Sequence, residues 1–196
     1  MVEYASRTEL RPKDLDGISE DQTALHWALY EGYVNNVNRI NTEIKALLDA
    51  NTASGNPVFS ELHRRRGWEY NGMRLHELYF EAMKPSSGDA PAPLATAINA
   101  SFGSMDACQA EFTAIGRMRG VGWAVMYQDP VSGALTNHWI DMHETGHPAG
   151  FRPILIMDLW EHAFSVDWTT NPAGRGQYIE AYLKNIDWAT LASRLG

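Results

Sequence analysis

Asp158 and His162 stand four residues apart in the stretch PILIMDLWEHAF, where an apolar run ends in a carboxylate. A carboxyl group at the end of a buried strand is expensive unless a charged partner or a metal offsets its desolvation. The plainer reading makes Asp158 the cap of a following helix and His162 a satisfied core histidine. Two further imidazoles change the balance. His26 shares a helical segment with Tyr30 and Tyr33, and His76 shares another with Leu75, Tyr79 and Phe80. At about 100° per residue, His26 and Tyr33 fall within about 20° of each other on a helix. Imidazoles and a carboxylate without thiolates suit iron or manganese better than zinc. The spacings leave open whether the four side chains meet.

A rival metal motif lies at HETGHPAG, His143 to Gly150, which spells His-Glu-x-x-His. A zinc peptidase needs that pattern on one continuous helix. Here Gly146 interrupts the turn and Pro148 follows the second histidine. The residue before a proline is pushed out of helical conformation, and glycine costs about 1 kcal/mol inside a helix. The segment reads as a loop, and its histidines are not expected to bind zinc.

The elements that must position these groups fall into two kinds. From Ser19, with Gln22 three residues on as in a capping box, a first helix runs through an apolar stripe of Leu25, Leu29, Tyr33, Val37, Ile40, Ile44 and Leu47. NTASGNP breaks it, and a second helical pattern follows, clearest from Met73 to Met83. Two long helices joined by a loop imply an antiparallel hairpin. KPSSGDAPAP, Lys84 to Pro93, reads as a linker. Beyond it, SMDACQAEFTAIGRMR reads as a helix, GWAVMYQD and ALTNHWI as a hairpin around PVSG, and RPILIMD as a buried strand. QYIEAYLKNI and DWATLASRL return to helical spacing. The expected fold is α+β: an N-terminal helical hairpin over 1–86, then a C-terminal α/β metal-binding unit over 87–196 with a three-stranded antiparallel sheet.

Composition limits the function. A net charge of -8 argues against nucleic-acid binding, and any anionic substrate must be drawn in by a local positive field. The basic run HRRRGW, His63 to Trp68, is expected to be solvated surface. One cysteine, Cys108, excludes an internal disulfide and fits a reducing, cytoplasmic setting. The first residues do not form a signal peptide, and no apolar run approaches a membrane span.

MDLWEHAF is close to the Asp-x-Trp-Glu-His-Ala-aromatic signature of the iron/manganese superoxide dismutase family, and the chain resembles that family over most of its length. GVGWAVMYQD is similar to its Gly-x-Gly-Trp strand, YVNNVN to the helix after its active-site tyrosine, and QYIEAYLKNIDWATL to its C-terminal helices. The resemblance implies one iron or manganese ion per chain, with His26, His76, Asp158 and His162 as ligands and solvent as the fifth. It implies a two-stroke cycle in which one superoxide is oxidised to dioxygen and a second is reduced to hydrogen peroxide. Tyr33 becomes the gate and part of a proton relay, and Trp123 and Trp160 become walls of the site.

The family sets an amide or imidazole against the metal-bound solvent. One position for it, four residues before the second histidine ligand, is Gly72 here. His138 is then the candidate, with His143 and His147 as rivals. Glu161 is implied to reach the partner subunit's last histidine ligand in a homodimer or dimer of dimers, and Arg175 to guide superoxide inward. Two departures stand out. The family usually has one more residue between the first ligand and the tyrosine. A histidine–tyrosine pair that often joins its subunits is replaced by Leu29 or Tyr30 and by Ser165. A metal-binding protein of the same fold without enzymatic activity is the alternative expectation.

Overall fold

The computed structural model describes residues 2–85 and 88–196. Its elements are six α-helices, α1 (Glu20–Asp49), α2 (Pro57–Glu81), α3 (Ala92–Phe102), α4 (Met105–Gly116), α5 (Pro172–Lys184) and α6 (Trp188–Ser193), and three strands, β1 (Trp123–Gln128), β2 (Leu135–Ile140) and β3 (Arg152–Asp158). The boundary expected between 86 and 87 lies outside the described residues. Among them, no helix is long and apolar enough to cross a membrane.

Helix α1 starts where Ser19 Oγ accepts the amide of Gln22. Only that half of the expected capping box forms. The amide side chain of Gln22 turns inward, donating to the carbonyl of His162 at 2.7 Å and accepting from the amide of Val166 at 2.9 Å. It therefore clasps the segment after β3, while Ser19's own amide donates to Asp167. The apolar stripe also differs at its N-terminal end. Leu25 and Leu29 face outward at 43% and 37% exposure, and the buried face runs through His26, Trp27, Tyr30, Val34 and Val37. Steps of four drift by about 40° each on a helix, so a chain of four-residue steps leaves the core side after two or three.

Asn56 caps α2 and Pro57 opens it, a position where the missing amide hydrogen is no loss. The helices run antiparallel, as the side-chain neighbours Asn36–Glu69, Tyr30–Glu77 and His26–Phe80 show. Helix α3 occupies the end of the stretch read as linker. Its prolines lie at the cap and first turn, where they favour a helix start, and the apolar residues behind them carry it on.

The sheet has the order β2-β1-β3 with both pairings antiparallel. Every residue of β1 is buried, as a central strand covered on both faces requires. The register sets Trp123 opposite both Ile140 and Asp158. Gly122 makes that entry possible: its φ is +129°, and a Cβ there would lie 2.1 Å from the carbonyl oxygen of Ile140. Arg194 fixes β3 against α2 by donating to the carbonyls of Ile154 and Leu78 and pairing with Glu81. Two helices and one strand end are thus held at a common point.

Candidate metal centre

Four side chains converge where β3 ends. Asp158 is fully buried, and its Oδ1 accepts the backbone amide of Trp160 at 2.9 Å, which orients the carboxylate. Its Oδ2 faces three imidazole nitrogens: His26 Nε2 at 3.0 Å, His162 Nε2 at 3.1 Å and His76 Nε2 at 3.5 Å. One ligand-type atom from each residue lies within 4.8 Å of all the others. His26 comes from α1, His76 from α2, Asp158 from β3 and His162 from the turn behind it.

The donor set fits a metal ion. His76 Nδ1 donates to the carbonyl of Gly72 at 2.6 Å, so its Nε2 carries a lone pair. That Nε2 is buried and has no hydrogen-bond partner. An orphaned buried acceptor aimed at two other imidazoles and a carboxylate is explained by a cation between them. Burial, joined by the neighbouring His26, holds His76 well below the usual histidine range. Burial also lowers His26, against the opposing pull of Asp158. Burial alone would raise the carboxyl of Asp158, but His162 and His26 outweigh it and keep the group below the usual carboxylate range. Neutral imidazoles and an ionised carboxylate are the protonation states that bind iron or manganese.

A second layer closes over this cluster. The hydroxyl of Tyr33 meets His143 Nε2 at 2.7 Å, and the indole nitrogen of Trp123 donates to His143 Nδ1 at 3.1 Å. His143 is fully buried, with Trp68 and Trp160 packed on its ring at 4.5 and 5.3 Å between centroids. Gly72 is required by this packing: a Cβ there would lie 2.6 Å from the Tyr33 ring. Of the four converging residues, only His162 keeps appreciable solvent exposure, at 19% of its side chain.

Residues 90–194 match the family model for iron/manganese superoxide dismutases, C-terminal domain. The chain is 34% identical over 193 residues to an iron superoxide dismutase of Aquifex pyrophilus, covering 96% of this chain and 89% of the relative. It is 37% identical over 189 residues to an iron superoxide dismutase of Cupriavidus metallidurans, covering 93% and 91%. It is 34% identical over 172 residues to manganese superoxide dismutase 2 of Haloferax volcanii, covering 86% and 82%. The chain belongs to the iron/manganese superoxide dismutase family.

The superoxide dismutase resemblance named ten site residues, and the structure does not bring all of them together. His26, His76, Asp158 and His162 form the cluster, and Tyr33, Trp123 and Trp160 surround it. The seven-residue step from His26 to Tyr33 lies on an uninterrupted α1, so the shorter spacing needs no bulge.

His138 lies apart from the cluster. It sits on β2, with its Nε2 2.8 Å from Thr136 Oγ1 and its ring against Tyr127 and Phe151, none of them part of the cluster. Strand β2 is an edge strand beyond β1, so its side chains reach the site only at the end level with Trp123. The chain enters the site three residues past that end, and the group held there is His143. His147 is set aside as well, bonded to Tyr127 and to the carbonyl of His143. The loop reading of HETGHPAG is what the structure shows.

Arg175 and Glu161 line a surface cleft together with Arg117 and Arg119. Arg175 donates to the carbonyls of Gly116 and Gly120, so it is anchored beside the sheet half. Glu161 is exposed, one residue before His162.

Trp68 was missed because it sits in the run read as solvated surface. His63, Arg64 and Arg65 are indeed exposed, but Trp68 turns the other way. The available signal was the four-residue repeat Trp68, Gly72, His76, which puts all three on one helical face.

Proposed function

We propose that this protein converts superoxide to dioxygen and hydrogen peroxide at one iron or manganese ion held by His26, His76, Asp158 and His162. The observation that carries the reading is the convergence of three imidazole nitrogens and one carboxylate oxygen within 4.8 Å in a chain of this family. When bound, such an ion supplies one-electron oxidation and reduction. The chain's residues supply the rest. Asp158 contributes the negative charge of the donor set, which favours the higher-valent ion. The hydrogen bond of His76 to Gly72 fixes the ring so that Nε2 faces the ion. Trp68, Trp123 and Trp160 wall the pocket and limit entry to small species. Tyr33 and His143 form the hydrogen-bonded pair from which a proton is moved to the reduced substrate.

Oligomerisation fits the surface beside the site. Leu25 and Leu29 are exposed on α1, and Val166 is exposed and bonded through its amide to Gln22 on the same helix. Apolar surface next to Glu161 and His162 supports a homodimer, alone or paired as a dimer of dimers. The single free cysteine, buried at Cys108, agrees with a cytoplasmic setting.

The test is superoxide consumption by the native protein and by His162→Ala, with metal measured in both. The native protein is expected to hold about one ion per chain, as the one donor cluster among the described residues requires, and to be active. His162→Ala is expected to lose activity together with metal. A native protein fully loaded with iron or manganese yet inactive contradicts the assignment and restores the non-enzymatic alternative.

A further inference from the structure

Of the four converging residues, His162 is the one that no long helix or strand carries. It lies in the 3-10 turn Glu161–Ala163 behind β3. Its ring bonds only to Asp158 among the described residues, so its direction depends on the backbone beneath it. His76, by contrast, is held through its second ring nitrogen by the carbonyl of Gly72. The backbone after His162 begins to wind as a helix. The amide of Ser165 donates to the carbonyl of Glu161 at 2.8 Å, and the amide of Trp168 to the carbonyl of Phe164 at 3.0 Å. Both are four-residue steps, the α-helical bond. The next step in that series after Glu161–Ser165 joins the carbonyl of His162 to the amide of Val166.

An outside group takes both ends of that bond. Gln22 Nε2 donates to the His162 carbonyl at 2.7 Å, and Gln22 Oε1 accepts the Val166 amide at 2.9 Å. A carbonyl only accepts and a backbone N–H only donates, so the two contacts fix which end of the Gln22 amide is which. The side chain is 1% exposed. A side chain inserted into a helical hydrogen bond opens the turn and redirects the chain. Gln22 also lies four residues before His26 on α1, so the two share one face of that helix. The His26 and His162 rings stand 5.3 Å apart between centroids. One helix thus supplies one imidazole of the cluster and grips the backbone of another. The amide of Ser19, bonded to Asp167 at 2.7 Å, holds the far end of the same segment.

We propose that Gln22 is a positioning residue: its amide, inserted between the His162 carbonyl and the Val166 amide, holds that turn open at the setting that aims His162 Nε2 into the cluster. Without the insert, the two backbone groups are left buried and unpaired, which is costly, and they recover a bond by closing on each other. Closure winds the segment into a continuous helical turn and swings the His162 ring away from Asp158. Any effect on turnover rests on the dismutase reading; the open turn and the aim of His162 do not.

The test compares iron-loaded native protein, Gln22→Ala and Gln22→Glu by crystallography, by the electron paramagnetic resonance spectrum of the ferric ion, and by competition with a chelator. The spectrum reads the symmetry of the donor set, which a loss of general stability does not move. In Gln22→Ala the His162 carbonyl is expected to bond directly to the Val166 amide, the ferric spectrum to change, and iron to be held about tenfold or more weakly, the scale for removing a group that orients a ligand. Gln22→Glu keeps the size of the side chain and the acceptor for Val166 but, ionised, has no donor for His162. It should keep the turn open and shift the spectrum by less, and it carries the test if the alanine variant does not fold. A turn that stays open in Gln22→Ala overturns the proposal, as does a closed turn with native spectrum and affinity, or a native spectrum in both variants. Superoxide consumption is measured alongside. A native protein that holds iron and does not consume superoxide, with the spectrum still altered in Gln22→Ala, would sink the dismutase reading and uphold the role of Gln22.

Discussion

His143 shows how a residue buried beside the cluster can carry a stability cost. Burial pushes its imidazole down to about 4, against the smaller opposing effect of Asp158, whereas an unfolded histidine titrates near 6.5. The unfolded chain therefore takes up a proton as pH falls from about 6.5 toward 4 and the folded chain does not, so stability is fully present above that window and drains away on acidification. The slope is at most about 1.4 kcal/mol per pH unit for one such group. His143→Gln removes the titration. Urea unfolding of the metal-free proteins at pH 7 and pH 5 should show a larger loss for the native chain than for the variant; equal losses would contradict the buried neutral imidazole. The four residues that converge were legible because Asp158 and His162 sit in a local signature, and His26 and His76 each sit at helical spacing with aromatic neighbours. The choice among His138, His143 and His147 was not, because it depends on how far the chain runs past β2 before it turns inward. Only the strand register decides that.

At the scale of elements, the site is where α1, α2 and the end of β3 meet, and Gly72 sets how closely the helices approach there. Gly72→Ala gains about 1 kcal/mol of helix propensity but forces a Cβ against the Tyr33 ring, where overpacking typically costs about 1–3 kcal/mol. A net loss of roughly 1 kcal/mol is expected by denaturant unfolding, together with displacement of Tyr33 from His143. A stabilised variant with Tyr33 in place would show that the contact is looser than it looks. Helix periods and the apolar run of β3 made most elements readable: β3 spans Arg152 to Asp158, the same residues as the expected strand. Helix α3 was hidden by its prolines, which mark a linker and a helix start equally well. The outward turn of Leu25 and Leu29 was hidden because four-residue spacing alone does not say which face meets the core. Gln22 was read as a cap partner, yet its amide is used across 140 residues of sequence to hold the carbonyl of His162, a tertiary contact with no local trace.

For the whole molecule, the acidic surface and the basic cleft pull an anion in opposite directions. The net charge of -8 repels superoxide, while Arg117, Arg119 and Arg175 gather in one cleft beside Glu161. Local fields in a cleft outweigh a distant surface of opposite sign, and salt screens exposed charges beyond about 10 Å at 0.1 M. The rate constant kcat/KM is therefore expected to fall as ionic strength rises. Arg119→Glu should lower it by about two- to fivefold at low salt and flatten the dependence. A rate that climbs with salt would mean that the overall negative charge governs approach. The α+β division itself was visible in the change from helical to alternating pattern. The proposed dimer face was visible only as a likeness, since no residue pattern along one chain records whether a partner covers Leu25 and Leu29.

The central claim is that one ion sits at the point shared by His26, His76, Asp158 and His162, and anomalous diffraction at the iron and manganese absorption edges tests it most directly. Crystals of the metal-loaded protein should give a single strong peak per chain, bounded by the three Nε2 atoms and Asp158 Oδ2. A peak at any other position, or none there in protein shown to contain the metal, would contradict the account.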